Sequence, residues 1–437
     1  MLKLCALSQF RFAISVILSC ANIAVGDDTG VPVPKVSPHQ FKGVASCASS
    51  NCHGGVAPRN ATAVLQNEYV TWSKHDKHSK AWQSLVTAEG KRIGAHLGIS
   101  NPEREPWCLR CHSTFVADPL LVAPEFRAED GVGCESCHGA AGGYLREHTS
   151  AKSTHQNNVA LGLVDLSDLK VRANNCVTCH YGSENADVTH RLMGAGHPRM
   201  SFELDTYTAL EPMHWRIDAD YRERKENYSP ARAWVAGQVA LAHAMLNRYG
   251  VEKRSRVHSG PELTLLSCYS CHHSLTAKQW KVREYAGRPG ELRLNTATFF
   301  VLQRTMAAFS QEQAQPLREA LTNLEDKARA GDLASGAPAL QAAVDQAQIY
   351  LSKQSFNTAQ IRAVIRSLLQ GGAARTLIQY EDADQITMAI SSLLTELKGQ
   401  GGAYKAQMKA LYDALRHPSE FDAQVFIQAS NKFLAVV

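Results

Sequence analysis

Apolar residues follow two regimes along this chain. From about residue 290 onward they recur at helical spacing: Phe299, Leu302, Met306 and Phe309; Ile361, Val364, Ile365 and Leu368; Ile386, Ile390, Leu393 and Leu397; then Val425 to Phe433. Steps of three and four place such positions on one face of an α-helix. Gly331, Gly336, Gly371-Gly372 and Gly401-Gly402 punctuate these stretches, and Pro418 suits the start of the last helix. The pattern predicts a helical bundle of about five or six helices over 290–437. The only histidine there is His417 and there is no cysteine, so the pattern predicts packing and docking rather than chemistry.

Residues 27–285 read differently. Long stretches lack periodicity and are rich in Gly, His and polar residues, so something other than side chains must supply much of the core. One stripe is clear: in EYVTWSKHDKHSKAWQSL (68–85), His75, His78, Trp82 and Leu85 follow helical steps of three, four and three. Residues 1–26 form a third unit. Lys3 and Arg11 precede the 14-residue apolar run Phe12 to Val25, which ends on the small residues Ala24-Val25-Gly26. That run is short of the roughly 20 residues that cross a bilayer, and the whole reads as a secretory signal with the mature chain starting near Asp27. Lipidation at Cys20 is the alternative. No later stretch is apolar for long enough to span, so a periplasmic or otherwise exported chain without a transmembrane segment is expected.

Export of a chain with 12 cysteines would ordinarily suggest disulfides. The positions argue against it. Cys5 and Cys20 lie in the signal, and the other ten form the pairs Cys47/Cys52, Cys108/Cys111, Cys134/Cys137, Cys176/Cys179 and Cys268/Cys271. Each pair is followed at once by histidine: His53, His112, His138, His180 and His272. Cys-x-x-Cys-His is the attachment motif of c-type haem, in which two thiols add to the porphyrin vinyls and the next residue reaches the iron. CLRCH (108–112), CESCH (134–138), CVTCH (176–180) and CYSCH (268–272) match it directly. CASSNCH (47–53) has two residues too many, and these bulge as a small polar turn if both sulfurs still meet one porphyrin. A Cys47–Cys52 disulfide is the alternative there, and would make the haem count four instead of five. Structural zinc does not require histidine beside the second cysteine in every pair, so it fits poorly.

The formal charge of +5 changes the picture little. The signal removes two positive charges, and haem propionates offset the rest, so nucleic acid has no support as a partner. Thirteen histidines remain beyond the motifs, more than five irons need as second axial ligands. His148 follows His138 by ten residues, and His190 and His197 follow His180 by ten and seventeen, on short polar tethers. Arg191 and Arg199, beside His190 and His197, are candidates to face propionates.

Residues 41–280 resemble the cytochrome c-554 family of multihaem c-type cytochromes. The resemblance rests on the SKHDKHSKAWQSL helix, the GCESCHGAAGG turn with its later His, and THRLMGAGHPRMSFEL followed by EPMHW. It implies His78, His148, His190, His197 and His214 as distal ligands, with His75 competing with His78, and leaves their pairing with individual haems open. Relatives carry four haems, so CASSNCH is an added or variant attachment site in this chain. The expected fold class is mainly α with extensive loops, a multihaem cytochrome c domain (27–285) followed by an all-α bundle (290–437).

Two functions fit these residues. One is electron relay between redox protein partners through closely packed, mostly bis-His haems, with no catalytic residue. The other is an oxidoreductase that reduces a small nitrogen or sulfur oxide at one open-coordinate haem. All five motifs end in His, which favours relay. A surplus ligand such as His39 permits a homo-oligomer or filament built through a neighbouring subunit, without favouring it.

Overall fold

The structure is a computed structural model that describes residues 38–59, 64–183, 186–224, 229–251, 262–272, 293–374, 379–397 and 401–437. The signal segment with Cys20, the 285–290 boundary, and His258 and His273 lie outside the described residues. Among the described residues there are eighteen α-helices and no β-strand; Phe41 with Val122 and Leu266 with Leu294 make isolated bridges only. The mainly α reading of the sequence is correct. No helix among these residues is long and apolar enough to cross a membrane.

The first ten helices are short: α1 (Glu68–His75), α2 (Ala81–Val86), α3 (Ala88–Leu97), α4 (Pro106–His112), α5 (Cys134–His138), α6 (His155–Ala160), α7 (Leu169–His180), α8 (His190–Gly194), α9 (Leu204–Leu210) and α10 (Ala219–Arg224). Local hydrogen bonds start several of them. Thr87, Asp168, Thr189 and Glu203 each accept a backbone N–H from the first turn that follows, which satisfies donors a helix leaves open. The stripe expected over 68–85 is not one helix. Asp76 adopts an extended conformation (φ −86°, ψ 130°) and its carboxylate accepts the His78 N–H, so the chain leaves α1 and re-enters through a 3-10 turn, Lys77–Lys80. An aspartate that bonds its own backbone two residues on competes with helix.

The long α11 (Pro230–Val251) is apolar all round. Ala231, Trp234, Val235, Val239, Leu241, Met245, Leu246 and Tyr249 are all buried. Such a helix must be covered on every side, and α11 packs on α7 and α9 as well as on the C-terminal helices. A Cβ at Gly237 would lie 2.5 Å from the Leu204 Cβ, so glycine is what lets α11 approach α9.

The C-terminal region contributes α12 (Ala297–Phe309), α13 (Gln311–Arg329), α14 (Leu333–Ser352), α15 (Thr358–Ala373), α16 (Tyr380–Glu396), α17 (Lys405–Ala414) and α18 (Ala423–Leu434). That is seven helices where periodicity led to five or six. The helices outside the named periodic stretches are α13, α14 and α17, and the buried stripes of α13 and α14 rest largely on alanines (Ala314, Ala320, Ala337, Ala343, Ala347) among a few leucines. Gly336, Gly371 and Gly372 do not break helices. They sit within them where Leu324, Phe300 and Ser430 press closest. Pro418 opens a separate 3-10 turn, and α18 begins five residues later with the Asp422 carboxylate accepting the Gln424 N–H.

One buried carboxyl at this core gives a pH-dependent expectation. Burial pushes Asp382 up to about 8, with the Glu381 charge adding to the effect, and its Oδ1 has no hydrogen-bond partner. The folded chain therefore binds a proton that the unfolded chain releases near pH 4, and stability falls as pH rises from about 4 to about 8. Asp382→Asn should relieve this cost, with a larger gain in stability at pH 8 and progressively less toward pH 4. Melting temperatures of the two proteins at pH 5 and pH 8 check it; an equal difference at both contradicts it.

Candidate metal centres

The five motifs sit on different local structures. CLRCH ends α4, CESCH is α5, CVTCH is the last turn of α7, and CYSCH opens the 3-10 turn Cys268–Ser270. In CYSCH the His272 N–H donates to the Cys268 carbonyl at 2.8 Å; in CASSNCH the His53 N–H donates to the Cys47 carbonyl at 3.2 Å. The same link from histidine to first cysteine is thus closed across the two extra residues. Ser49 takes them up, its carbonyl accepting from Cys52 N (2.8 Å) and Gly54 N (2.9 Å). A Cβ at Gly54 would clash with the Ala48 carbonyl oxygen, so the turn needs glycine after His53. None of the ten described cysteines forms a disulfide.

Four of the five motif histidines meet a second histidine from elsewhere in the chain. His53 faces His148 with ring centroids 6.3 Å apart and planes 7° from parallel. His112 faces His197 at 6.3 Å, His180 faces His78 at 5.9 Å, and His272 faces His190 at 6.1 Å. His138 lies within electrostatic range of His214. An imidazole nitrogen binds a transition metal at about 2 Å and lies about 1.1 Å from its own ring centre, so two rings on opposite sides of one metal have centroids about 6.2 Å apart. The four measured gaps match that span. His75 is exposed at the end of α1, whereas the Asp76 turn directs His78 to His180. His39 packs in its own chain, against Gly143 and Gly162.

The outer ring nitrogens are held. Nδ1 of His53 bonds Glu68 (2.9 Å), that of His78 bonds Asp76 (3.1 Å), that of His112 bonds the Ala81 carbonyl (3.0 Å), that of His148 bonds the Tyr144 carbonyl (3.2 Å) and that of His197 bonds the Pro198 carbonyl (2.9 Å). A donor bond from Nδ1 leaves the lone pair on Nε2, the arrangement of a ligating imidazole. The Glu68 and Asp76 bonds raise the basicity of His53 and His78. Burial instead pushes His138 and His180 down to about 4, keeping both rings neutral near pH 7. The carboxylates of Glu68 and Asp76 were not read from the sequence as part of the site. Their signal was proximity: Asp76 stands two residues before His78, and Glu68 opens the helix that leads there.

Thiols from different motifs also meet. Cys47 lies beside Cys134, and Cys111 beside Cys179. Cys137 and Cys176 are close enough to interact electrostatically. The segment 190–197 serves two motifs, with His190 toward CYSCH and His197 toward CLRCH. The two arginines there are engaged by protein groups: Arg191 donates to the Leu97 carbonyl, and Arg199 pairs with Asp384 at 3.2 Å.

Residues 46–139 match the family model of cytochrome c554 and c-prime. Over these residues the chain is similar to c-type cytochromes, which supports haem c and electron transfer. No curated protein matches it, and no solved structure does. The c554-type segment holds three of the five motifs and, in His78, one of the facing histidines.

Proposed function

We propose that this protein is an exported pentahaem c-type cytochrome, a relay passing electrons between two redox protein partners through bis-His haems. The observation that carries the reading is the set of motif histidines facing second histidines at 5.9–6.3 Å. Haem supplies reversible one-electron chemistry at its iron. The chain's own contribution is to hold two imidazoles per site at fixed spacing, which keeps iron geometry alike in both oxidation states and lowers the reorganisation each transfer needs.

The close approach of cysteines from different motifs supports an order of sites. CASSNCH neighbours CESCH, CESCH neighbours CVTCH, CVTCH neighbours CLRCH, and the shared 190–197 segment joins CLRCH to CYSCH. The cysteines that stand exposed are Cys52 and Cys271, in the first and last motifs of that order, while the other eight are half-buried. Exposed ends and a covered middle suit a relay that meets partners at its two termini.

The test is the spectrum of the reduced protein under carbon monoxide. Five sites with two imidazoles each should give a low-spin spectrum unchanged by the gas. Binding at one site in the native protein would favour an open-coordinate oxidoreductase instead.

A further inference from the structure

The C-terminal helices lack ligands of their own, yet one of them reaches a haem motif. Glu381, on α16, is 3% exposed. Its Oε2 accepts from the Ser267 hydroxyl at 2.8 Å and its Oε1 from the Cys268 backbone N–H at 3.0 Å. It thus holds the first attachment cysteine of CYSCH by the main chain. One turn further along α16, Asp384 takes the Arg199 guanidinium at 3.2 Å and the Ser201 hydroxyl at 2.8 Å. Arg199 Nη1 stands 4.0 Å from Glu381 Oε1, and its guanidinium lies over the Tyr380 ring. Tyr269, inside the motif, donates to the Phe421 carbonyl at 2.8 Å. The motif is therefore fixed on two sides by the C-terminal bundle.

A carboxylate with so little access to water is costly unless its interactions repay it. Two neutral donors and a cation at 4.0 Å hold this one beside a cysteine that bonds directly to the porphyrin edge. Fixed negative charge in a poorly solvated place favours the more positive state of a nearby redox centre, which for haem iron is ferric. We propose that Glu381 is a positioning residue for the CYSCH haem, through which the C-terminal bundle sets that haem's potential, holding it lower than the same motif would show without the charge. The proposal rests on the reading that Cys268 and Cys271 carry haem. It gives the C-terminal region a part in the relay, at the end nearest one partner.

The experiment is an optical redox titration of the whole mature protein, native and with Glu381→Gln, alongside mass measurement of the CYSCH peptide. Glutamine keeps the size and one acceptor and removes the charge. The expected result is five retained haems, with one of the five transitions moved to higher potential and the other four in place. Asp384→Asn is the second variant, since it loosens the opposing charge on Arg199 without touching Glu381, and it should move the same transition in the same direction by less. If both variants retain five haems and no transition moves, or all move together, the proposal is overturned. A native CYSCH peptide without haem would overturn the underlying reading instead, and the mass distinguishes the two failures.

Discussion

Replacing Cys134 and Cys137 together with alanine should leave a four-haem protein whose two ends no longer exchange electrons at the native rate. CESCH stands between CASSNCH and CVTCH: Cys134 lies beside Cys47, and Cys137 beside Cys176. Removing the middle site leaves the first site with no near neighbour on the inner side. The loop itself should persist, because its main support is Glu135, which accepts from the backbone N–H groups of Lys42, Gly43 and Ala141 at 2.7–2.8 Å and does not depend on the thiols. Rapid-mixing spectroscopy with a reductant that enters at one end should show a fast fraction and a slow one, separated by orders of magnitude, where the native protein shows a single fast reduction. A uniform fast reduction of all four remaining haems would mean that the sites are not ordered in this way.

His197→Ala should open one iron. The His197 ring faces His112 at 6.3 Å, and its Nδ1 bonds to the adjacent Pro198 carbonyl, which leaves Nε2 for the CLRCH site. One haem should change from low to high spin and bind carbon monoxide, while the rest keep the native spectrum. His75→Ala is the matching control, since His75 is exposed and His78 is the ring that faces His180. A spectrum unchanged by His197→Ala, or changed by His75→Ala, would contradict the pairing.

Much of the site was legible because its chemistry is written in short range. Five Cys-His motifs can be counted directly, and the short tethers to His148, His190 and His197 limit which rings can reach which sites. The pairing itself was not legible. His78 and His180 are about a hundred residues apart, and the Asp76 turn that aims His78 breaks the single helix that its spacing suggests. The C-terminal helices with strong leucine, isoleucine or phenylalanine periodicity were readable. α13 and α14 were less so, because alanine gives a weak apolar signal even where it is buried. Gly336, Gly371 and Gly372 misled for a related reason, since close packing selects glycine as readily as a turn does. The link from α16 to CYSCH joins residues 113 and 114 positions apart and leaves no trace in local pattern.

The most direct measurement is the intact mass of the matured protein, with peptide masses for each motif. Five covalent haem additions, one on each pair from Cys47/Cys52 to Cys268/Cys271, are expected. A haem-free chain, or disulfides within the pairs, would contradict the assignment of these cysteines and histidines as haem sites.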